Sequence, residues 1–315
     1  MKINRFVCVV CMVIASACNK SEVITITVED HYRAATDSSS EQWSAVMEYT
    51  PAPGQFIGDT KSGGFTGEEL TSADAVEYAT GRLTENKFVS LGGFGGYIVV
   101  GFDHSIDNVS GYDLAIRGNA FDGSSEPGIV WVSQDENGNG LADDVWYELA
   151  GSDTMAETTI RHYSVTYYRP MEDGQSVKWI DSEGTEGEID YLKAYHSQPS
   201  YYPTWISKDS YTLTGTCLEA CNYDKSGMGT MWVQPAYDWG YADNFSAVDY
   251  VEDDKTLVRF DIANAIDAAG ASVTLEYVDF VKVQTACNAK SGWLGEQSTE
   301  VVDFVDYGLK LKRNM

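Results

Sequence analysis

The sequence predicts an all-β fold, an antiparallel, jelly-roll-like β-sandwich with long loop insertions. Apolar and polar residues alternate over many short segments, as expected where one face of a strand is buried and the other is solvated. Gly, Asn and Asp separate these segments and favour the turns that join antiparallel strands. The 20 tyrosines and 29 glycines fit this class, because aromatic residues favour strands and glycine favours tight turns.

The first 18 residues have the form of a bacterial lipoprotein signal. A positive region with Lys2 and Arg5 is followed by an apolar run, residues 6–17, and then by Cys18. The run is shorter than the roughly 20 residues that cross a bilayer as a helix. We therefore expect cleavage before Cys18 and lipidation of its thiol, with acyl chains as the anchor. The alternative is an ordinary secretion signal that happens to end near a cysteine.

Three segments are predicted along the chain: a signal peptide (1–17), a tether (18–46) and one β-sandwich domain (47–315). The tether prediction depends on its polar composition, although residues 23–28 alternate like a strand. No fixed-period repeat or linker divides the domain, and we expect a large insertion around residues 170–245.

One helix and a series of strands are predicted within this domain. Thr71 and Asp74 are capping residues for a helix within residues 66–82. Alternating or apolar β runs predict strands at residues 97–102, 112–117, 128–133, 163–168, 256–261, 272–277 and 278–283.

The charge balance is strongly acidic, with 21 Lys and Arg against 48 Asp and Glu and a formal net charge of −27. Phosphate binding needs a basic surface, so this charge argues against nucleic acid as a partner. An anionic membrane surface is disfavoured for the same reason, which leaves the lipid anchor as the membrane contact. The charge fits solubility, cation binding or uncharged ligands.

Cys217, Cys221 and Cys287 would remain in the exported domain. Export permits a disulfide. The closeness of Cys217 and Cys221 in sequence favours that pair, but spacing leaves the pairing open. The domain has no Cys-x-x-Cys pair and no HExxH motif, which argues against a zinc site.

Residues 135–144 match a calcium-binding loop. Calcium takes six to eight oxygen ligands. Asp135, Asn137 and Asn139 occupy loop positions 1, 3 and 5, and Leu141 at position 7 would contribute its backbone carbonyl. Asp143 at position 9 would bind directly or through water. The pattern resembles the loops of EF-hands, dockerins and thrombospondin type 3 repeats.

One position of this loop departs from the pattern. Position 12 is Trp146 rather than Glu, so Asp144 or Glu148 would have to supply the missing carboxylate. Apolar strand-like runs flank the loop, so we predict a calcium-stapled hairpin with the weak affinity of extracellular sites. The alternative is a metal-free Asn-Gly turn.

Two segments rich in aromatic residues are candidates for ligand binding. Exposed rings with polar neighbours stack on pyranose rings or on a planar macrocycle. The alternative is that these rings belong to the core. The candidate residues are His196, Gln198, Tyr201, Tyr202, Trp205, Trp232, Trp239 and Tyr241.

No catalytic residue is predicted. The sequence has no G-x-S-x-G nucleophile elbow and no P-loop. Residues 92–96 are rich in glycine, but a strand-like run follows them, so a tight turn is expected rather than a phosphate site. A glycoside hydrolase stays open, because the separation of two carboxylates is a three-dimensional property.

Several stretches together resemble a group of Bacteroidetes cell-surface lipoproteins of jelly-roll type, also described as PKD-like. The resemblance covers most of the chain from about residue 47, and is carried by residues 89–104, 118–121, 126–130, 135–144, 146–152, 239–244 and 295–301. It implies a position beside an outer-membrane TonB-dependent transporter and a role in nutrient capture. Some members of this group resemble proteins of corrinoid uptake loci, whereas glycan capture is the commoner theme.

We therefore predict a non-catalytic, surface-exposed outer-membrane lipoprotein that binds a nutrient and passes it to a transporter. A corrinoid such as vitamin B12 is slightly favoured over a glycan. The alternatives are a glycoside hydrolase acting on surface glycans, and an adhesion or structural protein without a small ligand.

Overall fold

The computed structural model describes residues 31–62, 64 and 66–314, together with the backbone of two short strands, Cys11–Met12 and Ile24–Thr25. Lipidation at Cys18 and nearly all of the predicted signal peptide lie outside these described residues. Within them, no helix has the length and apolar character needed to cross a membrane.

The described elements are mainly short strands. The strands are β1 (Cys11–Met12), β2 (Ile24–Thr25), β3 (Ala45–Thr50), β4 (Val89–Ser90), β5 (Tyr97–Asp107), β6 (Leu114–Arg117), β7 (Gly128–Ser133), β8 (Trp146–Leu149), β9 (Ile160–Tyr168), β10 (Val177–Asp181), β11 (Glu186–Ile189), β12 (Ser210–Cys217), β13 (Tyr223–Asp224), β14 (Trp232–Val233), β15 (Tyr250–Val251), β16 (Asp254–Phe260), β17 (Ala265–Ile266), β18 (Tyr277–Thr285), β19 (Glu300–Val301) and β20 (Asp303–Asp306). The helices are α1 (Ser72–Thr84), α2 (Tyr307–Arg313) and the 3₁₀ turns Ile262–Asn264 and Gly292–Leu294.

Two antiparallel sheets enclose the main hydrophobic core. One sheet has the strand order β17-β8-β7-β18-β5-β3, and the other has the order β15-β16-β6-β20. Val100 and Val281 of the first sheet share one buried cluster with Ile116, Val258 and Phe304 of the second. This arrangement confirms the predicted all-β, sandwich-like fold, in which the inner faces of two sheets form the core.

A third sheet, with the order β11-β10-β9-β12, occupies part of the predicted insertion. It packs on the outer face of the six-stranded sheet, where Thr216 donates a hydrogen bond to Glu148 (Oγ1···Oε2 2.5 Å) and Gln284 donates one to the Thr214 carbonyl (3.1 Å). Tyr167 and Leu213 belong to its own hydrophobic cluster. The outer face of the sandwich is therefore partly buried.

The predicted helix is confirmed as α1, and its start follows the predicted cap. Thr71 accepts a hydrogen bond from the Asp74 backbone, and Asp74 accepts one from the Thr71 backbone in return. This capping box satisfies backbone donors that the first helical turn leaves free. Ala75, Ala79 and Leu83 face the core.

The strand predicted at residues 272–277 is wrong. Only Ser272 forms a bridge, to Ile266, and Tyr277 begins β18. Val273 and Leu275 still pack on the main core. The alternating polarity of residues 272–277 therefore reflects the burial of an irregular segment. This segment has no continuous partner strand, which a β-strand requires.

The residues before β3 pack on the sandwich. The Trp43 backbone donates to the Phe304 carbonyl (3.1 Å), and the Ser44 backbone donates to the Gly101 carbonyl (2.8 Å). The Arg33 guanidinium donates to the Phe102 carbonyl (3.0 Å). The predicted boundary at residue 47 therefore lies inside β3, and the described part of the predicted tether is bound to the sheet.

Candidate ligand and metal sites

The predicted calcium loop connects β7 to β8, which pair as an antiparallel hairpin. The Asp135 carboxylate accepts hydrogen bonds from the Asn139 backbone (3.0 Å) and the Gly140 backbone (2.9 Å). Gly140 has φ of 74°, a conformation that glycine adopts without strain. Asp135 therefore holds the loop in a closed turn around its own side chain.

The side chains at loop positions 3, 5 and 9 meet inside this turn. Asn137 and Asn139 both donate to Asp143 (3.2 Å and 3.1 Å), and Asn137 also donates to Asp144 (3.2 Å). Rotating each amide would place its oxygen where its nitrogen now lies. The donor set would then present several oxygens to a common point, and it fits a hard cation such as calcium. Leu141 continues the turn, with its backbone donating to Asn139 (2.7 Å).

Glu148 does not join the loop. The prediction that Glu148 supplies the carboxylate missing at position 12 is therefore wrong, and Asp144 was the other candidate. It lies fully buried beneath the third sheet, where it accepts from Thr216 (2.5 Å) and lies 3.8 Å from the Arg161 guanidinium. Successive side chains of a strand point to opposite faces, and β8 directs this one toward the third sheet. Asp144 is therefore the carboxylate available to the loop.

Asp279 connects the loop to the N-terminal segment. This fully buried carboxylate accepts from the Asp135 backbone (2.9 Å), the Ser105 hydroxyl (2.6 Å) and the Arg33 guanidinium (3.0 Å). The His31 ring lies against Gly138 in the same region. The loop and the described start of the chain therefore share one buried anchor.

A second group of carboxylates lies inside the protein. Glu126, Asp243 and Glu300 each place an oxygen within 4.8 Å of the others, and they form the one group of metal-ligand side chains of this kind among the described residues. Asp243 also accepts from the backbones of Asn119 and Ala120, both at 2.8 Å. Asp243 and Glu300 are buried, and Glu126 is half-buried at their edge. These residues could hold a metal ion, and we call them the buried carboxylate triad.

Burial controls the protonation of the triad. It raises the pKa of Asp243 to about 7 and that of Glu126 to about 8, and it also raises the pKa of Glu300. When carboxylates are removed from water and placed beside one another, ionising all of them costs free energy unless a counter-ion is present. The triad therefore holds protons near neutral pH or binds a cation. Its members are far apart in sequence, so no local pattern reveals the group.

Three of the eight predicted ligand-binding residues are core residues. Tyr201, Tyr202 and Tyr241 are at most 2 % exposed. Tyr201 donates to the His196 carbonyl (2.8 Å), Tyr202 donates to the Lys208 carbonyl (3.0 Å), and the Tyr241 hydroxyl accepts from the Asp153 backbone (2.9 Å). For these tyrosines the structure favours the core alternative, in which a buried ring places its hydroxyl on a protein partner.

Four of the remaining candidates are engaged within the protein. His196 is bound to Asp59 (Nδ1···Oδ2 2.6 Å), and Gln198 donates to the Ile57 carbonyl (3.1 Å). Trp205 packs against the main core. Trp232 is half-buried beside Gly292. The two aromatic segments therefore do not combine into one ligand surface.

Trp239 lines an open cleft of about 330 Å³. The Arg259 guanidinium stacks on the Tyr112 ring at 4.3 Å and donates from Nε to the Asp249 carbonyl (2.8 Å). The Asp249 carboxylate accepts from the Gly240 backbone (2.6 Å), which fixes the loop beside Trp239. The full lining is Gly111, Tyr112, Leu149, Ala150, Trp239, Gly240, Val248, Asp249, Arg259, Phe260, Asp261 and Asn264.

The chemistry of this Trp239 cleft is mixed. Trp239 and Tyr112 supply aromatic surface, and Arg259, Asp261 and Asn264 supply charged or amide groups. A concave site of this kind, mainly apolar with a few polar groups, is typical of small-ligand binding. Of the eight predicted ligand-binding residues, Trp239 alone lies in the lining described for the cleft.

Sequence reasoning missed a lysine surrounded by aromatic rings. Lys282 of β18 places its Nζ 4.5 Å from the Trp146 ring, 4.9 Å from Trp131 and 5.8 Å from Tyr97. Burial lowers its pKa to about 8. Trp131 and Trp146 flank the predicted calcium loop at positions that face away from the main core. The alternation of side chains along β7 and β8 was the sequence signal that could have revealed this group.

Comparisons with known proteins identified no matching family model and no matching curated protein.

Proposed function

We propose that this protein is an exported surface lipoprotein that binds an uncharged glycan, without cleaving it, and delivers it to an outer-membrane transporter. The observation that carries the proposal is the Trp239 cleft. An aromatic wall suits the apolar face of a pyranose, and Arg259, Asp261 and Asn264 suit its hydroxyls. Lipidation at Cys18 supplies the anchor in this proposal.

The size of the cleft favours a glycan over a corrinoid. About 330 Å³ is at the lower end of the range for ligand pockets. A sugar ring fits such a volume, whereas a corrin macrocycle with its side chains is much larger. The net charge of −27 favours a neutral sugar over an anionic one.

Replacement of Trp239 by Ala will weaken glycan binding at least about tenfold, because it removes the stacking surface. Isothermal titration with neutral oligosaccharides checks this result. Trp293→Ala is the matched control, because Trp293 is 45 % exposed and lies outside the cleft lining. Equal affinities for wild type and Trp239→Ala would contradict the assignment of the cleft.

We also propose that calcium binds the β7–β8 loop as a structural ion. Addition of about 10 mM calcium after EDTA treatment will then raise the free energy of unfolding by about 1–3 kcal/mol for a site of extracellular-type affinity. Thermal melts with and without EDTA check this result.

The double variant Asp143→Ala, Asp144→Ala is the control for the calcium proposal. It removes two loop carboxylates that contact the asparagine amides. The calcium response should disappear in this variant. A response that persists would assign the ion to the buried carboxylate triad instead, and an unchanged wild-type melt would exclude both sites.

A further inference from the structure

The side chain of Cys287 lies in a small hydrophobic cluster with Tyr237, Leu218 and Ile129. Its Sγ is 3.4 Å from the Tyr237 hydroxyl, which also donates to the Glu219 carbonyl (2.6 Å). Cys287 is 1 % exposed. This thiol is therefore buried, and its polar neighbour is a single tyrosine hydroxyl.

Cys221 interacts with the same tyrosine. Its thiol lies near enough to Tyr237 for that side chain to affect the pKa of Cys221, and it donates to the Pro235 carbonyl (3.4 Å). Cys221 is exposed and lies in the irregular segment between β12 and β13. Both thiols therefore interact with Tyr237, and that of Cys221 is open to solvent.

The two segments that carry these thiols are tied together on both sides of the pair. The Leu218 backbone donates to the Ala286 carbonyl (3.0 Å), one residue before Cys287. The Asn222 amide donates to the Lys290 carbonyl (2.9 Å), one residue after Cys221. These contacts hold the two segments beside each other, and a disulfide requires its two backbone positions to be close.

Cys217 belongs to a different environment. It ends β12 and packs in the cluster of the third sheet with Tyr163 and Leu213, whereas the next residue, Leu218, packs with Cys287. Adjacent residues of an extended chain point to opposite faces. Cys217 therefore packs with the third sheet, although its thiol lies near enough to Cys287 to raise the pKa of that thiol. Cys217, Cys221 and Cys287 are all free thiols in the structure, so no pair among them is bonded, including the pair that sequence spacing favoured, Cys217–Cys221.

We propose that Cys221 and Cys287 form a disulfide bond in the exported protein, with Cys217 left as a free thiol. The proposal depends on the export part of the proposed function and not on glycan binding. A disulfide between these positions would join the β12–β13 segment to the end of β18, beside the loop that carries Trp239.

The chemistry is thiol–disulfide exchange with an external disulfide, such as oxidised glutathione or a protein oxidant. The exposed Cys221 loses its proton and attacks the external disulfide, which gives a mixed disulfide and releases one thiol. Cys287 then loses its proton and attacks the Cys221 sulfur, which releases the second thiol. Two S–H bonds are replaced by one S–S bond, and the external disulfide accepts the two electrons.

The test uses the purified, soluble full chain treated with oxidised glutathione, alkylated and digested without reduction. Mass spectrometry should find one peptide that links residues 221 and 287, together with alkylated Cys217. Cys217→Ser should give the same linked peptide. Oxidation should raise the melting temperature by roughly 5–10 °C, because the bond closes a long loop.

Cys221→Ser is the decisive variant, because the exposed position tolerates the change. It should show no oxidation-dependent melting shift, even if Cys287→Ser fails to fold. A peptide linking 217 to either 221 or 287, or alkylation of all three cysteines after oxidation, would overturn the proposal. Suppose instead that the 221–287 peptide forms in purified protein but that both cysteines are free in protein isolated from cells. That result would support the pairing and contradict the proposed export.

Discussion

Replacement of Asp279 by Ala will lower the free energy of unfolding by about 3–5 kcal/mol, a typical cost of breaking a buried ionic network. Asp279 is fully buried, and its carboxylate accepts from the Arg33 guanidinium, the Ser105 hydroxyl and the Asp135 backbone. The substitution leaves these three donors without their acceptor and creates a small cavity. It should loosen the N-terminal segment and the β7–β8 loop together.

Urea denaturation of the wild type and of Asp279→Ala measures this effect. Asp173→Ala is the matched control, because Asp173 is exposed and should change stability by less than about 0.5 kcal/mol. Arg33→Ala should cost less than Asp279→Ala, since the Arg33 side chain is 40 % exposed. A cost below about 1 kcal/mol for Asp279→Ala would show that the network is not a structural anchor.

Raising the pH from about 5 to about 8 will destabilise the protein in EDTA. Burial raises the pKa of Asp243 to about 7 and that of Glu126 to about 8, and outside the triad it raises the pKa of Glu296 to about 8. These carboxylates titrate near pH 4 in the unfolded chain. Over this window the folded state binds more protons than the unfolded state, so the free energy of unfolding falls as the pH rises. A shift of three units in one group corresponds to about 4 kcal/mol.

Denaturation curves at pH 5, 6.5 and 8 check this prediction. Glu300→Gln should flatten the pH dependence, because it removes one charge from the triad, whereas the exposed control Asp173→Asn should keep the wild-type slope. The window ends at pH 8 because Lys282, whose pKa burial lowers to about 8, acts in the opposite direction above that value. Stability that is constant or increases from pH 5 to 8 would contradict the protonated triad.

The fold was largely predictable because most strands lie half-buried and alternate in polarity. Residues 128–133 form β7 with the predicted bounds, and the predicted cap at Thr71 starts α1. The strand prediction at residues 272–277 failed for a physical reason. Alternating polarity indicates which side chains are buried, whereas strand pairing depends on a partner that is distant in sequence. The third sheet could not be predicted for the same reason, since its packing surface is the outer face of β8 and β18.

The sites were less predictable than the fold. The loop at residues 135–144 is local, so spacing alone brought Asp135, Asn137, Asn139 and Asp143 into one turn. Composition could not distinguish Tyr241, which lies in the core, from Trp239, which lies in the cleft, because both belong to the same Gly-rich segment. The partners of Trp239, such as Arg259 and Tyr112, come from distant strands and loops.

Equilibrium titration of one protein sample with two ligand classes tests the central claim most directly. Neutral oligosaccharides and cyanocobalamin would be titrated separately into the wild-type protein in calcium-containing buffer. Saturable binding of an oligosaccharide that stays intact during the titration, with no binding of cyanocobalamin, is the result that we predict from the Trp239 cleft. Saturable binding of cyanocobalamin without any oligosaccharide binding would contradict the proposed function.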